Sequence, residues 1–76
     1  MALTALEFRL LQMLVTHSDR VVASSDLIQR VWGYEPGLEG AVLKNAIYRL
    51  RRKIEPNAAE PLHIISVVGE GYLFRP

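Results

Sequence analysis

Residues 41–55 read Ala41-Val42-Leu43-Lys44-Asn45-Ala46-Ile47-Tyr48-Arg49-Leu50-Arg51-Arg52-Lys53-Ile54-Glu55. Leu43, Ile47, Leu50 and Ile54 recur at spacings of four, three and four, the period of a helix with one buried stripe. At about 100° per residue, Asn45, Arg49 and Arg52 form one outward row and Lys44, Tyr48 and Arg51 the next. Lys53 extends the cationic set. Residues 44–76 carry a net charge of +3, and five of their six cations lie between 44 and 53 with no acid among them. Residues 1–43 carry −2, which hides this asymmetry in the overall +1. A run of cations is ordinarily a solvated helix face, so the segments around it decide its meaning.

Upstream, Thr4 and Glu7 form a Thr-x-x-Glu capping box, with Leu3 and Phe8 at the positions of a hydrophobic staple. This predicts a first helix over about 5–16. Its polar stripe is only Arg9, Gln12 and Thr16, so its apolar arc is too wide for a single neighbour. Leu6, Leu10, Met13 and Leu14 are therefore expected to leave a partly exposed patch, open to self-association or to packing against a further segment. Arg20-Val21-Val22 reads as a short extended piece. A second helix begins near Ser24 or Ser25, carries the stripe Leu27, Ile28, Val31 and Trp32, and stops at Gly33. The loop 33–40 holds three glycines and a proline.

Downstream, Pro56-Asn57 ends the third helix. Leu62-His63-Ile64-Ile65-Ser66-Val67 is a β-branched run, followed by Gly69-Glu70-Gly71 and Tyr72-Leu73-Phe74-Arg75. Two short strands about a glycine-flanked tip make a hairpin. The fold class expected is mainly α with a small β-hairpin: a winged helix-turn-helix of three helices and a C-terminal wing, one domain over 1–76. In that arrangement the basic helix enters a DNA major groove, where Arg, Lys and Asn pair with base edges, and the hairpin tip enters an adjacent minor groove.

Composition agrees with this and excludes much else. The chain has 76 residues, half of them hydrophobic and 22% charged, an ordinary globular mix. It has no cysteine, which removes disulfides and cysteine-based zinc sites. No membrane span or leader pattern occurs, and a cytoplasmic location is expected. His17 and His63 stand 46 residues apart with no carboxylate at ligand spacing. Gly69-Glu70-Gly71 lacks the strand-to-helix setting and the lysine of a phosphate loop. No cofactor, small-molecule substrate or catalytic site is expected.

Four stretches resemble one family. They are Leu3-Thr4-x-x-Glu7-Phe8-x-Leu10-Leu11, then Arg20-Val21-Val22 with Leu27-Ile28-x-x-Val31-Trp32-Gly33, then Ile47-x-Arg49-Leu50-Arg51-Arg52-Lys53-Ile54-Glu55, and lastly Ile65-Ser66-Val67-Val68-Gly69-Glu70-Gly71-Tyr72-Leu73-Phe74. Together they look like the OmpR/PhoB class of winged-helix effector domains of bacterial response regulators. The resemblance implies sequence-specific binding of double-stranded DNA, a longer parent with a phosphorylated receiver domain, and tandem dimers on direct repeats. It also implies an RNA polymerase contact through the 33–40 loop. Of the DNA-contacting positions it carries over Trp32, Arg49, Arg51, Ser66 and Tyr72, while Lys44, Asn45, Tyr48, Arg52 and Lys53 are candidates on this sequence's own pattern. Arg51 and Arg52 are expected to hold phosphates, and Arg49 and Asn45 to read bases.

The departures are specific. Members of the class carry a four-stranded antiparallel sheet ahead of helix 1, which this sequence lacks, so the chain is expected to be a piece of a longer regulator or to dispense with the sheet. Ala41 and Ala46 stand where the class usually has an arginine and a histidine that touch phosphates. Val68 replaces a polar residue of the wing. These differences sustain a second reading, a winged helix used for protein interaction or dimerisation with DNA contact weak or absent. A salt titration of binding to random duplex separates the two.

Overall fold

The computed structural model describes residues 2–33 and 40–76. The element order is α1 (Ala5–Thr16), β1 (Val22–Ala23), α2 (Ser24–Trp32), α3 (Gly40–Ile54), β2 (Ile64–Val67) and β3 (Gly71–Phe74). The winged helix-turn-helix expected from the sequence is the architecture observed. Among the described residues, no helix is long and apolar enough to cross a membrane.

The capping box is formed in full: the Glu7 N–H donates to Thr4 Oγ1 at 3.1 Å and the Thr4 N–H to Glu7 Oε1 at 2.8 Å. α1 packs against α2, α3 and β3, which explains its wide apolar arc. This corrects the expected patch at Leu10 and Leu14, which are completely buried, while Leu6 and Met13 keep part of their surface exposed. Exposed apolar surface on α1 lies instead at Phe8 and Val15. Val15 and Leu11 line a shallow apolar groove of about 310 Å³ with Ile54, His63, Phe74 and Pro76.

α2 begins one residue earlier than a serine cap would place it. Ala23 is the N-cap and offers no side-chain acceptor. The Ser24 N–H, one of the helix's unpaired first-turn donors, instead reaches the Glu70 carbonyl of the hairpin tip at 3.2 Å. At the other end Gly33 adopts φ +83°, the left-handed stop expected of it. The stripe Leu43, Ile47 and Leu50 of α3 is buried against Leu10, Leu14, Leu27, Ile28 and Val31, while Ile54 is half-buried. Ala46 is buried as well, so it belongs to the core side of α3.

The sheet has three strands in the order β1-β3-β2, all antiparallel. The short extended piece at residue 22 is thus the third strand, with Val22 opposite Tyr72 and Ala23 opposite Gly71. β2 begins at Ile64 rather than Leu62. The N–H groups of Leu62 and His63 go to a side chain just past the end of α3, described below.

Candidate nucleic-acid interface

The polar face of α3 is open to solvent beside the start of α1, where Arg49, Arg52 and Lys53 border a concavity with Thr4 and Glu7. Lys44, Asn45, Tyr48, Arg49 and Arg52 are all exposed there. The Arg52 guanidinium lies over the Tyr48 ring at 5.8 Å, one helical turn away. Such stacking holds the arginine upright while leaving its donors outward. Among the described residues, no salt bridge engages Arg49, Arg52 or Lys44.

Two members of the expected cationic set stand differently. Lys53 is half-buried and its Nζ lies 2.6 Å from Glu7 Oε1 in α1. That hydrogen bond, first, and the one from the Thr4 N–H, second, hold the Glu7 carboxyl below its ordinary value of 4.5. Arg51 does not stand in an outward row. Its Nε and Nη2 donate to the Ile64 carbonyl at 3.0 and 2.7 Å, and Nη2 donates also to Ser66 Oγ at 2.9 Å. The guanidinium lies 5.9 Å from the centre of the Tyr72 ring. The reason is position: Arg51 falls where α3 passes the edge of the hairpin, and the backbone there offers an acceptor.

The wing residues fall around this contact. Ser66 is exposed and pairs across the ladder with Tyr72, which is half-buried against the core. Val68 stands at the tip and is 96% exposed. Gly69 beside it takes φ +79°, which supplies the turn, and the Glu70 N–H closes back on the Val67 carbonyl at 3.0 Å. Trp32 is half-buried against the core at the end of α2. Residues 34–39 of the loop expected to meet RNA polymerase lie outside the described residues.

One residue of consequence was not singled out from the sequence. Glu55, just past the end of α3, is 7% exposed and accepts hydrogen bonds from three successive backbone N–H groups. Leu62 and His63 reach Oε1 at 2.9 and 3.2 Å, and His63 and Ile64 reach Oε2 at 2.9 and 2.7 Å. Burial pushes the Glu55 carboxyl up, but the donors of Ile64, Leu62 and His63 outweigh it and hold the group below 4.5.

Residues 1–74 match the family described as "Transcriptional regulatory protein, C terminal". The chain is 43% identical over 70 residues to the DNA-binding dual master transcriptional regulator RpaA of Synechocystis, covering 92% of this chain and 29% of that protein. It is 42% identical over 66 residues to the sensory transduction protein RegX3 of Mycobacterium leprae, covering 87% of this chain and 33% of that one. The chain therefore spans about a third of the length of these curated relatives. Among solved structures, the Klebsiella pneumoniae RstA DNA-binding domain in complex with the RstA box superposes with a TM-score of 0.90 at 35% identity, covering 99% of this chain and 74% of that one. The DNA-binding domain of CpxR from E. coli gives 0.84 at 32% identity, covering 96% and 72%. The chain belongs to this family, the OmpR/PhoB-type C-terminal domains of transcription regulators, which is not a family of enzymes.

Proposed function

We propose that this chain binds duplex DNA site-specifically, with α3 in the major groove and the β2–β3 hairpin as a wing in the adjacent minor groove. The observation that carries the reading is the exposed row Lys44, Asn45, Tyr48, Arg49 and Arg52, on a fold shared with a domain crystallised on its own DNA box. In this reading Arg52 and Lys44 hold phosphates and Arg49 and Asn45 meet base edges. Ser66 and Tyr72 approach the backbone beside the wing. The chain acts in the cytoplasm as the effector domain of a longer response regulator, residues 1–76 forming that one domain. A receiver domain, tandem dimers on direct repeats and an RNA polymerase contact through the 33–40 loop belong to that larger protein. The length of the relatives supports a larger protein, and the dimers and the polymerase contact rest on the family resemblance alone.

The test is a salt titration of binding to duplex DNA. Affinity falls steeply with salt, and Arg52→Ala lowers the log–log slope by about one, because one phosphate is no longer neutralised. A flat titration favours the second reading, a protein-interaction module. Two observations speak for that reading: the fully exposed Val68 at the wing tip and the internal partners taken by Arg51 and Lys53.

Specificity is read separately. Arg49 and Asn45 lie one turn apart on the exposed face, and a bidentate arginine–guanine or asparagine–adenine pair is worth about 1–3 kcal/mol of discrimination. Site selection with Arg49→Ala and Asn45→Ala is expected to relax preference at one or two base pairs each while most non-specific affinity remains. An Asn45→Ala chain that selects the wild-type site with wild-type stringency would leave Arg49 as the only reader of the pair.

A further inference from the structure

β2 lies at the edge of the sheet, so its outer backbone groups have no strand to pair with. Two side chains from the end of the basic helix cover that edge. The Ile64 carbonyl accepts from Arg51, and the Ile64 N–H donates to Glu55. Arg51 and Glu55 are four residues apart, and the Glu55 N–H still closes a helical bond on the Arg51 carbonyl at 2.8 Å. One turn of helix thus supplies both the donor and the acceptor that a neighbouring strand would have offered. The clamp extends in both directions, through Glu55 to the N–H groups of His63 and Leu62, and through Arg51 to Ser66 and the Tyr72 ring. Beside the shared apolar core, where Ile64 meets the stripe of α3, this clamp ties the end of α3 to the wing by hydrogen bonds.

We propose that Arg51 and Glu55 are positioning residues that fix the wing against α3, so that helix and hairpin meet one DNA site together. The proposal rests on the DNA-binding reading for its consequence, though not for its geometry. It removes Arg51 from the phosphate contacts expected from the sequence, since its Nε and Nη2 are already committed inside the protein. It also sets a sign. Glu55 is an anion close to a polyanion's docking face, so charge alone would make its neutralisation strengthen binding. A positioning role makes the same change weaken it.

The experiment compares the wild-type, Glu55→Gln, Arg51→Met and Arg51→Lys chains on a duplex recovered by site selection, over a series of salt concentrations. Dimethyl sulfate protection of guanine N7 reports the helix in the major groove, and hydroxyl-radical protection reports the wing in the minor groove. Glu55→Gln and Arg51→Met are expected to bind about tenfold more weakly, since each removes a charged hydrogen bond. Both should lose the minor-groove protection, keep the major-groove protection and keep the wild-type salt slope. Arg51→Lys restores the charge without the planar fork and recovers only part of the affinity. A slope lower by about one in Arg51→Met would make Arg51 a phosphate ligand and overturn its assignment. Loss of both protections together, or unchanged or tighter binding by Glu55→Gln, overturns the proposal as well. A wild-type chain that binds no duplex refutes the DNA-binding reading instead, and amide hydrogen exchange then decides the clamp. In Glu55→Gln the Leu62, His63 and Ile64 amides should exchange about tenfold faster while those between β2 and β3 hold. Uniform acceleration, or none, would refute it.

Discussion

Gly71→Ala is expected to lower the thermal midpoint by on the order of 15 °C, the equivalent of roughly 3 kcal/mol in a domain of this size. Gly71 is the first residue of β3, opposite Ala23 of β1 on one side and Val67 of β2 on the other. A methyl carbon added there would overlap the Val22 carbonyl oxygen and lie 2.9 Å from the Val22 carbonyl carbon and 3.0 Å from Ala23 Cα. All three are backbone atoms, so no side chain can turn away to make room. β1 must move off β3, and with it goes the Ser24 N–H bond that anchors the start of α2 to the wing tip. A domain of this length has a total stability of roughly 4–11 kcal/mol, so the loss is a large share of it. Gly69→Ala is the control. The space around Gly69 is open and only its φ of +79° opposes a side chain, which costs about 1–2 kcal/mol. Circular-dichroism melting of the two variants side by side checks the order, and equal midpoints would count against so close an approach of β1 to β3.

That contrast also marks how far the sequence could be read. Glycine at 69 and 71 suggests a turn at both, yet only Gly69 is needed for its backbone angle; Gly71 is needed for space that a strand forty-nine residues away occupies. Local order was legible. The capping box fixed the start of α1, the four-three-four spacing fixed the buried face of α3, and β-branched residues flanked by glycine marked the hairpin. The exposed row of α3 was legible too, because helical period alone places Asn45, Arg49 and Arg52. What period cannot distinguish is which cation keeps its charge free. Arg51 and Arg52 are adjacent and alike in sequence, but one meets a backbone carbonyl thirteen residues on and the other meets solvent. Lys53 finds Glu7 across 46 residues. Glu55 was harder still, since its partners are main-chain N–H groups, which every sequence possesses and none advertises. Two members of the expected patch on α1 were misplaced for a related reason: Leu10 and Leu14 face α2, α3 and β3, and a helix's neighbours are not written in its own stripe.

Glu55→Ala should cost roughly 3 kcal/mol at neutral pH, because it strips a charged acceptor from three backbone donors at once. The Ile64 residue is fully buried, so its N–H has no water to fall back on, whereas the exposed Leu62 can turn to solvent in part. The cost should also depend on pH. In the folded chain both Glu55 and Glu7 titrate below their ordinary value of 4.5. A carboxyl depressed in the folded state contributes stability that is fully present above its unfolded value and is lost as pH falls through its folded one. Wild-type stability should therefore be nearly level from pH 7 down to about 5 and fall below about 4.5. Glu55→Ala lacks one of the two carboxyls responsible, so its decline should be shallower and the gap between the two chains should narrow as the pH falls further below 4.5. Urea unfolding of both chains at a series of pH values measures this directly. A gap of the same size at neutral and acid pH would mean that Glu55 acts through packing rather than through its charge.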